Sequence, residues 1–135
     1  MCSNNNLTII LRAKREVALK NMKKTFHYWQ GTTAVIGVDW GDSGKGRLID
    51  DLSANANIVA RYNGGSNTGH TVKNKYGKFA LHIIPSGIFN QKAKSVIGRG
   101  VAVDLESICQ DEIKQLKDAG VSWKNMIIDE QATLT

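Results

Sequence analysis

The sequence predicts an α/β fold, a mainly parallel sheet flanked by helices with a small β-hairpin inserted. Three observations predict it. Short apolar, β-branched runs occur at Ala34-Val35-Ile36-Gly37-Val38 and at Ile58-Val59-Ala60, the pattern of strands buried on both faces. Each run passes into a glycine-rich loop, Gly41-Asp42-Ser43-Gly44-Lys45-Gly46 and Gly64-Gly65-Ser66-Asn67-Thr68-Gly69-His70-Thr71. Between the two lies an amphipathic segment with Leu48, Ile49 and Leu52 on one side, suited to the helical crossover that parallel strands need.

In chain order, residues 33–39 read as the first strand and residues 44–55 as its crossover helix. Residues 57–62 are the second strand. Residues 71–74 and 78–83 form a hairpin around Lys75-Tyr76-Gly77, with Gly77 as its turn residue. Pro85-Ser86-Gly87 is a turn. Residues 95–97 and 101–103 are short strands about Gly98-Arg99-Gly100. Asp104 caps a helix that Gly120 stops after Ala119, with Leu105, Ile108, Cys109, Ile113 and Leu116 on one face. Residues 126–129 are a last strand. No repeat or linker divides the chain, so residues 31–135 are read as one α/β unit, incomplete at its end.

With 135 residues, 41% hydrophobic and a single Pro, the composition is that of an ordinary globular domain. No apolar run has the length of a membrane span. Cys2 and Cys109 are too few for a disulfide framework or a metal knot, which points to a reducing compartment, the cytoplasm. The net charge of +6 is concentrated at one end: residues 1–30 hold Arg12, Lys14, Arg15, Lys20, Lys23 and Lys24 against Glu16 alone, +5 of the total. The rest is nearly neutral, which argues against nucleic acid as the main ligand. Residues 1–30 read as a basic, poorly ordered extension. Their charge would also suit a transit peptide, but an upstream extension or an early start, with Met22-Lys23-Lys24 as the alternative, is preferred. Phe26, Tyr28 and Trp29 are expected to pack on the domain edge.

The two loops carry the chemistry. Strand, glycine loop and helix together aim backbone N–H groups and a helix N-terminus at an anion, and Lys45 adds a full charge. Two such loops at the ends of successive strands would face one crevice. The first loop resembles a Walker A element without matching it: Lys45 is followed by Gly46, so the Mg²⁺-binding hydroxyl is missing and Asp42 is the available hard anion. A lone histidine is more often structural, yet His70 sits at a loop end beside glycines, where a polar group is presented to a ligand. His82, between Leu81 and Ile83, reads as half-buried and structural, as does His27. Asp51 reads as a solvated helix face; Asp50 could reach a neighbouring loop, but the solvated reading is preferred.

Trp40-Gly41-Asp42-Ser43-Gly44-Lys45-Gly46-Arg47, the second loop, and Leu81-His82-Ile83-Ile84-Pro85-Ser86-Gly87-Ile88 together resemble adenylosuccinate synthetase. The likeness runs from about Thr33 to the C-terminus, through Ile97-Gly98-Arg99-Gly100-Val101. It implies a P-loop-NTPase-like fold and a GTP-dependent ligase of purine synthesis. Such an enzyme joins IMP and L-aspartate into adenylosuccinate through a 6-phosphoryl-IMP intermediate. Carried over by position, Asp42 would be the catalytic base and His70 the acid. GTP would be held by Gly41, Asp42, Ser43, Gly44, Lys45, Gly46, Arg47, Gly69, His70 and Thr71. IMP would be held by Asp42, Ser43, Gly44, Lys45, Asn67, Thr68, Gly69 and His70. One Mg²⁺ would be ligated by Asp42 and the Gly69 carbonyl. Phosphoryl transfer asks mainly for positioning and charge neutralisation, and His70 is the group whose ordinary pKa lets it donate near neutrality.

The chain departs from the family pattern at Ser43 (usually Glu), Arg47 (usually Lys), Ser66 (usually His) and Thr68 (usually Ala). A related branch makes 2-aminoadenylosuccinate from dGMP and carries Ser at the catalytic aspartate; this chain keeps Asp42, which favours IMP. Family members are roughly three times longer, beyond a single domain of this kind, and are homodimers. An N-terminal fragment unable to complete the active site is therefore expected. The competing readings are an enzyme of that dGMP branch and a nucleotide-binding module without catalysis. Neither membrane nor nucleic acid is an expected partner.

Overall fold

The structure, a computed structural model, describes residues 8–10, 31–36 and 45–135. Its contacts fall into two units, residues 1–45 and 46–135. In the first, β1 (Thr8–Ile10) lies parallel to β2 (Thr33–Val35), with Thr8 opposite Thr33 and Ile10 opposite Val35. β2 is the start of the expected first strand. The first glycine loop up to Gly44 lies outside the described residues, as does the leader over 11–30 with Phe26, Tyr28 and Trp29.

The segment expected as a crossover helix is helical, α1 (Lys45–Ser53), but among the described strands β2 pairs with β1 and not with β3. After it the chain enters a three-stranded parallel sheet. β3 (Ile58–Arg61) pairs with β6 (Lys94–Ile97), which pairs on its other side with β8 (Met126–Ile128). Its residues alternate. Ser95 and Ile97 are fully buried, whereas Ile58 and Ile127, on the opposite face, are 60% and 45% exposed. Parallel sheets are ordinarily covered on both faces, so among the described residues this sheet is half-covered.

Between β3 and β6 sits the hairpin of β4 (His70–Asn74) and β5 (Gly77–Leu81). Asn74 pairs with Gly77, which leaves Lys75-Tyr76 as a two-residue turn, and Gly77, just after it, holds a φ of 135° that favours glycine. β5 runs into the core segment. Leu81, Ile83, Ile84 and Ile88 are fully buried, each burial stabilising by about 1.5–3 kcal/mol. Pro85 opens a short 3₁₀ helix, Ser86–Phe89, buried at every position, where the sequence predicted only a turn. β7 (Ala102–Val103) pairs parallel with β9 (Thr133–Leu134). The hairpin is the one antiparallel pairing among the described strands, in line with the expected mainly parallel class.

The last helical rod departs from its expected regularity. It runs as α2 (Leu105–Ser107), a π turn over Ile108–Glu112, and α3 (Ile113–Asp118). The cap is as expected: the Asp104 carboxylate accepts from the Ser107 N–H at 3.0 Å. The stop is a Schellman motif. Gly120, at φ 69°, donates to the Lys117 carbonyl at 2.9 Å, and Val121 donates to the Leu116 carbonyl at 2.8 Å. The expected apolar face is corrected. Leu105 is 45% exposed and Cys109 is exposed, while Glu112 lies fully buried between Ile108 and Leu116. The wider π turn advances the rod by one residue, so the buried row is Ile108, Glu112, Leu116.

Candidate functional site

The second glycine loop begins where β3 ends, and the Arg61 side chain organises it. Arg61 Nε donates to the Asn63 carbonyl at 3.3 Å, and Nη2 donates to both the carbonyl and the hydroxyl of Thr68. The Thr68 hydroxyl in turn donates to the Gly65 carbonyl at 2.8 Å, which also accepts from the Thr68 N–H at 3.1 Å. Gly64 holds a φ of 98°, and a β-carbon there would sit 3.1 Å from Arg61 Nη2; only glycine lets the guanidinium lie across the turn. The loop rests on the Gly98-Arg99-Gly100 turn. Gly98 donates to the Arg61 carbonyl and Ala102 donates to the Gly64 carbonyl, both at 2.8 Å.

His70 opens β4 opposite Leu81. Its ring lies against Gly46, in the first turn of α1. A β-carbon at 46 would be 3.3 Å from both His70 Cδ2 and the Thr71 carbonyl oxygen. The end of the second loop and the start of α1 are therefore in contact. The first N–H groups of a helix have no intrahelical acceptor and carry partial positive charge, so this junction suits an anion beside an imidazole. His82 packs from the other side, where a β-carbon on Gly69 would come 3.1 Å from its Cε1. It is half-buried, as expected from its neighbours.

Of the expected site residues, Lys45, Gly46 and Arg47 form the start of α1, and Gly69, His70 and Thr71 lie beside it. Asn67 and Thr68 are on the exposed part of the loop, with the Thr68 hydroxyl turned inward to Arg61 and Gly65. Gly41, Asp42, Ser43 and Gly44 lie outside the described residues. Among the described residues no group of three or more His, Cys, Asp or Glu could hold a metal. The implied Mg²⁺ ligands, a carboxylate and a main-chain carbonyl, are hard oxygen donors, and Gly69 is exposed beside the helix start. That donor chemistry fits Mg²⁺, which keeps waters and phosphates for its other positions.

Two supporting residues escape the sequence reading. Glu112 accepts from the Ile83 N–H at 2.9 Å and the Ile84 N–H at 3.0 Å, one bond per carboxylate oxygen. Arg61 is the other. Burial draws its guanidinium below the usual pKa and the Glu112 charge works against that, but arginine stays charged throughout. Asp50 is half-buried and follows the alternative reading, reaching the Asn74 side chain, rather than the preferred solvated one. Burial raises its pKa, a hydrogen bond with the Asn74 side chain lowers it, and the Asp51 charge raises it. A carboxyl whose folded pKa exceeds its unfolded one favours the fold when protonated, and this contribution fades as pH rises between the two values. Asp50→Asn is thus expected to unfold at a higher temperature than the parent at neutral pH. The gap should close as the pH falls to the ordinary aspartate pKa of 3.8, as thermal melts at the two pH values would show.

The parallel sheet and its loop-to-helix junction place the chain in the P-loop-like α/β class. A sequence model of the adenylosuccinate synthetase family matches residues 34–135, and the chain belongs to that family. An adenylosuccinate synthetase of Halothermothrix orenii is 46% identical over 102 residues, 76% of this chain and 24% of that protein. One from Methanosarcina acetivorans is 43% identical over the same coverage. A solved structure, the fully ligated adenylosuccinate synthetase of Plasmodium falciparum, superposes with a TM-score of 0.63 at 33% identity, covering 73% of this chain and 23% of that one. The chain thus spans about a quarter of the length of the relatives it matches.

Proposed function

We propose that this chain carries the nucleotide-facing part of a cytoplasmic, GTP-dependent ligase that joins IMP and L-aspartate. By itself it would bind nucleotide without turning over. The single observation that supports the reading is the contact of His70 with Gly46, which sets an imidazole against the helix start that follows the first glycine loop.

In the proposed reaction Asp42 takes the N1 proton of IMP. The electron pair released to O6 attacks the γ-phosphorus of GTP, and the bond to the β-phosphate oxygen breaks to release GDP. His70 donates a hydrogen bond to the oxygens where negative charge gathers, and Lys45 and the loop N–H groups neutralise the phosphates. The aspartate amine then displaces phosphate from C6. Asp42 and the Gly69 carbonyl would hold the Mg²⁺, whose contribution is charge neutralisation at the phosphates. The aspartate site and the homodimer contacts would belong to the remainder of a full-length enzyme.

The reading is tested on the 135-residue chain by titrating IMP, then GTP with Mg²⁺, and following amide resonances. Shifts confined to residues 41–47 and 67–71, with no adenylosuccinate formed when aspartate is added, are expected. Silent loops would remove the nucleotide reading, and robust product formation would remove the fragment reading.

A further inference from the structure

We infer that Arg61 and Thr68 are a positioning pair, a guanidinium–hydroxyl pin that holds the second glycine loop in the shape that presents Gly69 and His70. The inference deepens the proposed function, on which it rests for what the loop binds.

A loop from Asn63 to Gly69 with three glycines is conformationally expensive to hold in one shape. Its main-chain ladder contributes little: the Thr68 N–H to the Gly65 carbonyl inside it, and the Ala102 N–H to the Gly64 carbonyl at its edge. Arg61 contributes more. Fixed at the end of β3, it bonds both limbs at once, the Asn63 carbonyl on the outgoing limb and Thr68 on the returning one. The planar, many-donor guanidinium can bridge two limbs in this way, and a lysine ammonium cannot reproduce the fork. Hydrogen bonds from a charged donor are also stronger than neutral ones. Thr68 then passes the constraint on, because its hydroxyl accepts from Arg61 and donates to Gly65. The next two residues are Gly69, seated on His82, and His70, seated on Gly46. Loosening position 68 would therefore free the two residues assigned to metal and acid without touching either.

Because Thr68 is exposed and outside the core, its variants should fold. Thr68→Val keeps the shape and removes the hydroxyl; Thr68→Ser keeps the hydroxyl. Amide hydrogen exchange on the 135-residue chain is the direct readout. Thr68→Val is expected to speed exchange at positions 68–70 roughly tenfold, the scale of one charge-assisted hydrogen bond. Amides of the β4–β5 hairpin beyond His70, residues 71–81, should be unaffected. Thr68→Ser should match the parent, and Arg61→Met should loosen the loop at least as much as Thr68→Val, since it also releases the Asn63 and Thr68 carbonyls; the double variant should be no looser than Arg61→Met alone. An unchanged loop in Thr68→Val, or acceleration spread equally over the hairpin, would overturn the pin. The second readout is IMP affinity by resonance titration. It is read on Arg61→Met, because Thr68 is itself an expected IMP contact and Arg61 is not: weaker binding supports the positioning role, and parental binding by a loosened loop overturns it. Failure of IMP to bind even the parent chain would count against the proposed function alone, with the exchange data still deciding the pin.

Discussion

Replacing Glu112 by alanine is expected to destabilise the chain by about 2–6 kcal/mol, the result of stranding two buried N–H donors at roughly 1–3 kcal/mol each. Its carboxylate is fully buried and receives the Ile83 and Ile84 N–H groups in parallel. Those two residues belong to the segment between β5 and the 3₁₀ helix, where no strand partner satisfies the main chain. The carboxylate acts there as a surrogate strand edge. Gln115, one turn further on, does the same for Ala80, accepting from its N–H at 3.0 Å and donating to its carbonyl at 3.1 Å. Against a total stability of about 5–15 kcal/mol for a domain of this kind, the loss at Glu112 is large. Glu112→Gln should lose less, since one oxygen still accepts while the amide NH₂ opposes the other N–H. Urea unfolding followed by circular dichroism would give both values. A Glu112→Ala chain as stable as the parent would show that water satisfies the Ile83 and Ile84 donors instead.

That carboxylate also shows where sequence reading stops. Strands β3, β6 and β8 were legible because apolar, β-branched runs leave no other economical assignment. The hairpin was legible from Gly77, and the ends of the last helical rod from Asp104 and Gly120, since caps and left-handed residues are local chemistry. Glu112 was not, because a glutamate next to Asp111 and two residues before Lys114 reads as solvated surface. One signal was there: Ile108, Glu112 and Leu116 are spaced by four, a charged residue in an otherwise buried row. The π turn that aligns them has no comparable local signature. β9 is two exposed residues whose only reason to be extended is β7, and β1 is three residues defined by pairing with β2. Non-local pairing of that kind is invisible in a single short run. At the site the same division holds. The glycines and His70 announced a loop, whereas Arg61 read merely as the end of a strand, and its grip on Thr68 depends on how the chain turns back.

The catalytic assignments need the rest of an enzyme around them, and the similarity supplies a route. Residues 34–135 match the adenylosuccinate synthetase family, and the Halothermothrix orenii relative is 46% identical over 102 residues. A chimera carrying this segment in place of that protein's own is expected to form adenylosuccinate. Within it, Asp42→Asn and His70→Asn should each lower kcat by about 10²–10⁴-fold, the usual contribution of a positioned acid or base. Nucleotide affinity should change far less for His70→Asn, because an imidazole that steadies developing charge acts mainly in the transition state. Asp42→Asn should in addition demand more Mg²⁺, since it removes an anionic ligand as well as a base. Asp51→Asn, on the exposed side of α1, serves as the neutral control. Turnover within a few-fold of the parent in the His70 variant would mean that its seat on Gly46 shapes the helix start and nothing more.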